Sequence, residues 1–102
     1  MGDGAHPVSG GDEVRRVVVG DPLGLHARPC ASLAALVRRH APARLVVRHR
    51  GQQADGAHVI DLLVLTVPGG AEVELVASGP GAGALADAAQ RLLAAPAGPP
   101  GG

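Results

Sequence analysis

The chain has 102 residues, a formal net charge of zero and no Phe, Trp or Tyr. This length allows one small domain, and a core without aromatic rings must be built from Val, Leu, Ile and Ala. A neutral chain also lacks the basic stripe and the base-stacking rings of general nucleic-acid binders, so we expect no nucleic-acid partner. The single cysteine, Cys30, excludes an internal disulfide and a multi-cysteine metal site. We expect Cys30 to be a small apolar residue near a helix start.

The two ends of the sequence differ in composition from its middle. Residues 1–12 and 96–102 are rich in Gly and Pro and carry no hydrophobic periodicity, so we expect disordered tails around a domain at 13–95. The first of these segments has no long apolar run, so we expect no signal peptide. No stretch approaches the roughly 18 apolar residues of a membrane span. We therefore expect a cytoplasmic protein without direct membrane insertion.

The middle of the chain alternates between segments typical of strands and segments with the apolar spacing of helices. In chain order we predict a strand at 13–20, a helix at Ala27–His40, strands at 43–50 and 52–55, an apolar segment at 58–65, a strand at 71–78 and a helix at 81–95. The segment HVIDLLVL is too short for periodicity to decide between strand and helix. Interleaved strands and helices in so short a chain predict an α+β fold with one antiparallel sheet and helices on one face.

The most unusual stretch is GLHARP, which directly precedes the first helical pattern. A proline just inside a helix, here Pro29, loses nothing by lacking an N–H. The amides of Ala27 and Arg28 have no acceptors within the helix, and with the positive end of the helix dipole they form an anion site. His26 stands at the mouth of this site. It could bind a phosphate, carry one covalently as a nucleophile, or merely cap the helix.

GLHARP followed by an amphipathic helix resembles the active-site segment of the HPr family. These are the histidine-containing phosphocarrier proteins of the phosphoenolpyruvate-dependent sugar phosphotransferase system. The resemblance covers roughly residues 13–94. It implies an open-faced β-sandwich, βαββαβα, with a four-stranded antiparallel sheet and helices packed on one face. The segment 58–65 would then be a short helix.

The resemblance also implies a mechanism and partners. His26 would accept a phosphoryl group on Nδ1 from phospho-enzyme I and pass it to a IIA domain of a sugar transporter. Arg28 and the backbone amides of Ala27 and Arg28 would hold the phosphoryl oxygens. Such a protein acts stoichiometrically rather than as a self-contained enzyme, and we expect a monomer that needs no cofactor.

Two positions depart from the family pattern. A small polar residue often stands three positions before the histidine, but here that position is Leu23, whose side chain cannot orient the ring by a hydrogen bond. The regulatory serine that many members carry at the start of the second helix is here His58. By resemblance, part of the second helix docks partners. We expect that surface to comprise Val59, Ile60 and Leu63, with Arg38 and Arg28 at its rim, and Leu62 and Leu65 to lie in the core.

Several alternatives stay open from the sequence. The chain could be an HPr-like regulatory module that binds partners without carrying phosphate. It could also be a carrier for a dihydroxyacetone kinase or for a nitrogen-type regulatory branch. We expect no metal site, because none of the five histidines forms an i, i+4 pair. Of the remaining histidines, we expect His49 on a strand surface and His6 in the first tail.

Overall fold

A computed structural model describes residues 12–96 of the chain. The predicted tails, apart from residues 12 and 96, lie outside the described residues, as does His6. The elements are β1 (Glu13–Val18), α1 (Ala27–Arg39), β2 (Arg44–His49), β3 (Gln52–Asp55), α2 (Val59–Val64), β4 (Glu72–Ser78) and α3 (Ala82–Ala94). The predicted order βαββαβα is confirmed, and the ambiguous apolar segment is a helix. No helix within 12–96 is long and apolar enough to span a membrane.

The strands form one four-stranded antiparallel sheet in the order β1-β4-β2-β3. Strand β4 therefore lies inside the sheet, with Val73 opposite Val17 of β1 and Leu75 opposite Val47 of β2. Alternate side chains of each strand point to the same face, and these four valine and leucine residues are all buried. They meet the helices on that face and form a core that is almost entirely Val, Leu and Ala.

His49 contradicts our expectation of a strand-surface position, because only 8% of it is exposed. It lies two and four residues beyond Val47 and Leu45, so it shares their face of β2 and points toward the helices. Its Nδ1 is 3.4 Å from the carbonyl oxygen of Glu72. The alternation of β2 indicates this inward position, because Leu45 and Val47 are buried on the same face.

Helix α1 buries Leu33, Leu36 and Val37 against the core, as their spacing predicted. His40, the predicted last residue of the helix, lies just beyond it as its C-cap, with Nδ1 2.9 Å from the carbonyl oxygen of Leu36. Cys30 is fully buried at the start of the helix, which confirms its apolar role. Burial raises the pKa of the Cys30 thiol to about 11, so the thiol is neutral at physiological pH.

The loop between β1 and α1 packs directly on the loop between α2 and β4. The amide of Leu25 donates a 2.9 Å hydrogen bond to the carbonyl oxygen of Val67. Gly24 has φ +74°, and a Cβ atom there would lie 2.0 Å from that same carbonyl oxygen. A Cβ on Gly69 would lie 2.4 Å from the carbonyl oxygen of Pro22. The two backbones thus touch at positions where only glycine fits, and this contact fixes the loop that leads into α1.

Candidate functional site

His26 occupies the N-cap position of α1 with extended backbone, at φ −93° and ψ −172°. Its carbonyl accepts the N–H of Cys30 at 3.1 Å, while its side chain makes no capping hydrogen bond. The capping alternative is therefore wrong for the imidazole. Pro29 has no N–H, so the open donors of the first turn within residues 12–96 are the amides of Ala27 and Arg28. Both amides belong to the predicted anion site.

The imidazole of His26 has a partner that sequence analysis missed. Its Nε2 lies 2.9 Å from Oδ2 of Asp21, whose side chain is only 10% exposed, against 34% for the histidine. The other carboxylate oxygen, Oδ1, accepts the N–H of Leu23 at 2.9 Å. The hydrogen bond from His26, and after it that from Leu23, lowers the pKa of the Asp21 carboxyl below its ordinary value. Leu23 supplies no orienting side-chain bond, as expected, but Asp21 does.

A sequence signal for Asp21 existed in the turn Asp-Pro-Leu-Gly. Asp is favoured at the first position of a turn and Pro at the second. The amide of Gly24 closes this turn on the carbonyl oxygen of Asp21 at 2.8 Å. The turn brings a carboxylate that is five residues away in sequence back to the helix start. Only the conformation of the loop decides that contact, so residue spacing alone could not predict it.

Arg28 is exposed in the first turn of α1, a turn that contains no acidic residue. A cation at this position opposes the helix dipole, so helix stability does not account for it. Within residues 12–96 its guanidinium forms no salt bridge. It lines a small cleft with Asp21 and Pro29 on one side and Leu93 of α3 on the other.

Helix α2 presents the predicted docking residues to different degrees. Ile60 is 69% exposed, while Val59 and Leu63 are half-buried and pack against the core. Leu62 and Leu65 are buried, as predicted. Ile60 is thus the member of the predicted patch that is most accessible to a partner.

Other large apolar side chains outside the predicted patch are also exposed. Val64, one helical turn after Ile60, is 66% exposed, and Leu23 in the loop before His26 is also exposed. The i, i+4 spacing of Ile60 and Val64 could have revealed the pair, since such residues share a helix face. The guanidinium of Arg38 donates a 2.7 Å hydrogen bond to the carbonyl oxygen of Ala57. This bond ties α1 to the segment that begins α2.

His58 is the N-cap of α2 and is exposed, with no side-chain capping bond. Its Nδ1 lies 3.7 Å from a carboxylate oxygen of Asp61 and 3.9 Å from one of Asp55. Position 58 offers no hydroxyl that could carry a phosphate. Within residues 12–96 no three His, Cys, Asp or Glu side chains come together in a way that could hold a metal ion.

Residues 14–95 match the protein-family model PTS-HPr, described as the phosphorylation site of the PTS HPr component. The chain belongs to the HPr family. It is an HPr-like phosphocarrier of the phosphotransferase system. Among curated HPr-family relatives, phosphocarrier protein NPr of Proteus mirabilis (strain HI4320) is 34% identical over 67 residues, covering 66% of this chain and 74% of the relative. Phosphocarrier protein NPr of Klebsiella oxytoca is 34% identical over 64 residues, covering 63% and 71%.

Solved structures of the HPr family confirm the fold. The phosphocarrier protein HPr from Bacillus anthracis str. Ames superposes with a TM-score of 0.74 at 21% identity, covering 78% of this chain and 94% of that one. HPr-C-His from Thermoanaerobacter tengcongensis gives a TM-score of 0.75 at 21% identity, covering 79% and 90%. The predicted open-faced α+β sandwich is therefore confirmed.

Proposed function

We propose that His26 carries the phosphoryl group, accepting it on Nδ1 from phospho-enzyme I and passing it to a IIA domain. The observation that carries this proposal is the environment of the ring. Its Nε2 is occupied by Asp21 at 2.9 Å, and it stands beside the two open amides of the α1 first turn. One ring nitrogen is thus engaged by the protein, while the other is left for a phosphorus atom held by that anion site.

Phosphoryl transfer of this kind needs a nucleophile and hydrogen-bond donors that stabilise the negative charge on the phosphoryl oxygens. The Nδ1 lone pair forms a P–N bond as the bond between phosphorus and the donor breaks, and the electron pair returns to the donor atom. The amides of Ala27 and Arg28 and the Arg28 guanidinium face the phosphoryl oxygens. Helix-end interactions of this kind are worth about 0.3–1 kcal/mol each. Such modest stabilisation suits a group that must be handed on.

The docking surface is the exposed part of α2. We assign it Val59, Ile60 and Leu63, with the guanidinium of Arg38 at its rim and that of Arg28 beside His26. Apolar side chains bordered by fixed positive charge suit a partner surface that is apolar at its centre and acidic around it. Enzyme I and IIA domains are the proposed partners, the proposed compartment is the cytoplasm, and the carrier acts as a monomer.

A second candidate concerns the branch that is served. Both curated relatives are NPr proteins, which favours an NPr-type carrier for a nitrogen-type regulatory branch over a carrier for sugar transport. A dihydroxyacetone kinase branch is a further possibility within phosphotransfer. An HPr-like module that only binds partners would need neither the open amides at the α1 start nor the cation beside them.

The test is incubation of the full chain with enzyme I and labelled phosphoenolpyruvate, followed by mass spectrometry. We expect one phosphate per chain on His26, labile in acid and stable in base as a phosphoramidate is. The labelled protein is then mixed with a sugar-type or a nitrogen-type IIA domain, and the faster acceptor identifies the branch. An unlabelled chain in the presence of active enzyme I would refute the carrier proposal and favour the partner-binding module.

A further inference from the structure

We infer that Asp21 is a positioning residue that holds the proton of neutral His26 on Nε2, so that Nδ1 presents the lone pair. This inference rests on the proposed role of His26 as the phosphoryl carrier, and it adds the residue that selects which nitrogen reacts. Neither the sequence pattern nor the family match assigns Asp21 any role.

The carboxylate of Asp21 is fixed at both oxygens. Oδ2 lies 2.9 Å from Nε2 of His26, and Oδ1 accepts the N–H of Leu23 at 2.9 Å. The backbone of Asp21 is held as well, because its carbonyl accepts the N–H of Gly24 at 2.8 Å. A Cβ on Gly69 would lie 2.5 Å from that carbonyl oxygen, so the opposing loop backs it closely. A buried group with this many attachments cannot turn away from the ring.

The tautomer follows from the chemistry of the pair. An ionised carboxylate only accepts hydrogen bonds, so the ring nitrogen that faces it must carry the proton. A neutral imidazole has one N–H and one lone pair, which places the lone pair of His26 on Nδ1. An acidic residue that fixes a histidine tautomer in this way makes the opposite nitrogen the reactive one.

The same bond matters after the phosphoryl group has transferred. The proton on Nε2 stays in place during attack by Nδ1, so the phosphorylated ring is cationic, and the carboxylate of Asp21 offsets that charge. When the P–N bond breaks in the next transfer, the electron pair returns to Nδ1 and the ring leaves as neutral imidazole. Without the retained proton the leaving group would be an imidazolate anion, which leaves far less readily.

The carboxylate also disfavours phosphorylation at the other nitrogen. A phosphoryl group on Nε2 would place its negative oxygens against Oδ2, which is now 2.9 Å from that nitrogen. Like charges at such a distance in a mostly buried site repel strongly. Asp21 therefore selects Nδ1 twice, by the position of the proton and by repulsion.

The decisive experiment compares the full chain with Asp21→Asn by long-range proton–nitrogen NMR of the imidazole. The spectra are recorded at mildly alkaline pH, and the tautomer is identified from the nitrogen chemical shifts of the neutral ring. We expect the wild type to hold its proton on Nε2. In Asp21→Asn the amide oxygen can keep the Leu23 bond, which turns the NH₂ toward the ring, so the proton should move to Nδ1. Because the proton would then occupy the attacking nitrogen, transfer from enzyme I should slow by at least about 10-fold, and residual phosphate should shift toward Nε2.

Asp87→Asn is the matched control. Asp87 is an exposed carboxylate on α3 that pairs with Arg15, so its loss changes the net charge equally and should change neither the tautomer nor the transfer rate. A wild-type ring with its proton on Nδ1, or shared evenly, would overturn the inference even if the variant fails to fold. An unchanged tautomer in folded Asp21→Asn would overturn it too, as would an altered tautomer with unchanged transfer. The NMR result does not depend on phosphorylation, so failure of the proposed function is recognised separately.

Discussion

Within residues 12–96, two helices have a histidine as their N-cap, and we propose only one of these histidines as the phosphoryl carrier. His26 precedes α1 and His58 precedes α2. Each follows a glycine by two residues, and each has extended backbone and no side-chain capping bond. The local sequence and the backbone geometry are therefore similar at the two sites. The difference lies in the charges around each ring.

The first turns of the two helices carry side-chain charges of opposite sign. The first turn of α1 has no acidic residue and contains Arg28, whereas the first turn of α2 contains Asp61. The single carboxylate at His26 is buried behind the ring at 2.9 Å, while those at His58 are exposed and more than 3.5 Å away. At α2 an incoming phosphate would meet carboxylates at the open face of the helix start. We therefore expect a phosphoryl group on His26 and not on His58.

Removing each histidine in turn should give the largest difference between the two sites, measured as labelling by enzyme I. His26→Ala should abolish labelling by enzyme I, because the nucleophile itself is gone. His58→Ala should retain one phosphate per chain and a rate within about twofold of wild type, a change below about 0.5 kcal/mol. Mass spectrometry after the enzyme I reaction measures both. Full labelling of His26→Ala would show that another histidine is the acceptor.

The next largest difference should be in the free energy of unfolding lost when the glycine before each histidine is replaced. Gly24→Ala places a Cβ 2.0 Å from the carbonyl oxygen of Val67 and at φ +74°. Backbone strain alone costs about 1–3 kcal/mol, and the two loops must also separate. Gly56→Ala meets the Leu45 side chain at 3.0 Å and should cost about 1 kcal/mol. Urea unfolding measures both, and equal losses would show that the loop contact is not special.

A substitution on the exposed face of α2 should lower the affinity for enzyme I and leave the stability of the fold unchanged. Ile60→Asp should weaken enzyme I binding by about 10-fold or more, as loss of a central interface residue does, while the melting temperature stays close to wild type. Leu62→Asp, at a fully buried position of the same helix, should unfold the protein. Calorimetric titration and circular dichroism separate the two effects. If Ile60→Asp also unfolds, the assignment of the helix faces is wrong.

Arg28→Ala tests the cation in the first turn of α1, where the first turn of α2 instead contains Asp61. Loss of one charged hydrogen bond to the phosphoryl oxygens should slow transfer by about 10-fold, or about 1.4 kcal/mol. Stability should not fall, because removing a cation from a first turn favours the helix dipole. Arg39→Ala, at the other end of α1, is the control and should leave the rate unchanged. Equal rates for Arg28→Ala and wild type, toward both enzyme I and a IIA domain, would exclude Arg28 from the mechanism.

The smallest predicted effect is a change in relative stability at acidic pH. The pKa of Asp21 is lowered in the folded chain, first by the His26 hydrogen bond, so the ionised carboxyl favours folding. This contribution is complete above the ordinary pKa near 3.8 and disappears as the pH falls through the lower folded value. The stability advantage of wild type over His26→Ala should therefore shrink below about pH 4. Urea midpoints measured between neutral pH and acid measure the change, and a constant difference would contradict it.

Much of the fold followed from local patterns and from the resemblance. Strand β4 alternates apolar and polar residues, and the stripe of Leu33, Leu36 and Val37 defines α1, so both elements were predicted within a residue or two. Helix α2 has six residues, too few for periodicity to separate helix from strand. Its identity came from the resemblance, and in physical terms it comes from packing Leu62 into the core.

The site was predictable where it depends on adjacent residues. His26, Ala27 and Arg28 are neighbours at one helix start, so the open amides could be inferred from Pro29 and helix geometry alone. The contact with Asp21 depends on a turn, on a glycine at positive φ and on a second loop behind it. None of these is a property of residue spacing. The inward position of His49, by contrast, follows from the alternation of β2 alone.

The touching loops give a different meaning to the glycine of GLHARP. Gly24 lies two residues before His26, but the space left by its missing side chain is occupied by the carbonyl oxygen of Val67. The glycine of the motif is therefore required by the close packing of two backbone segments that are more than 40 positions apart in sequence. The histidine, arginine and proline belong to the proposed chemistry of the site. A designer who transplants the histidine, arginine and proline to another helix must also transplant the opposing loop. Without the opposing loop, the glycine would only make the backbone before the helix more flexible.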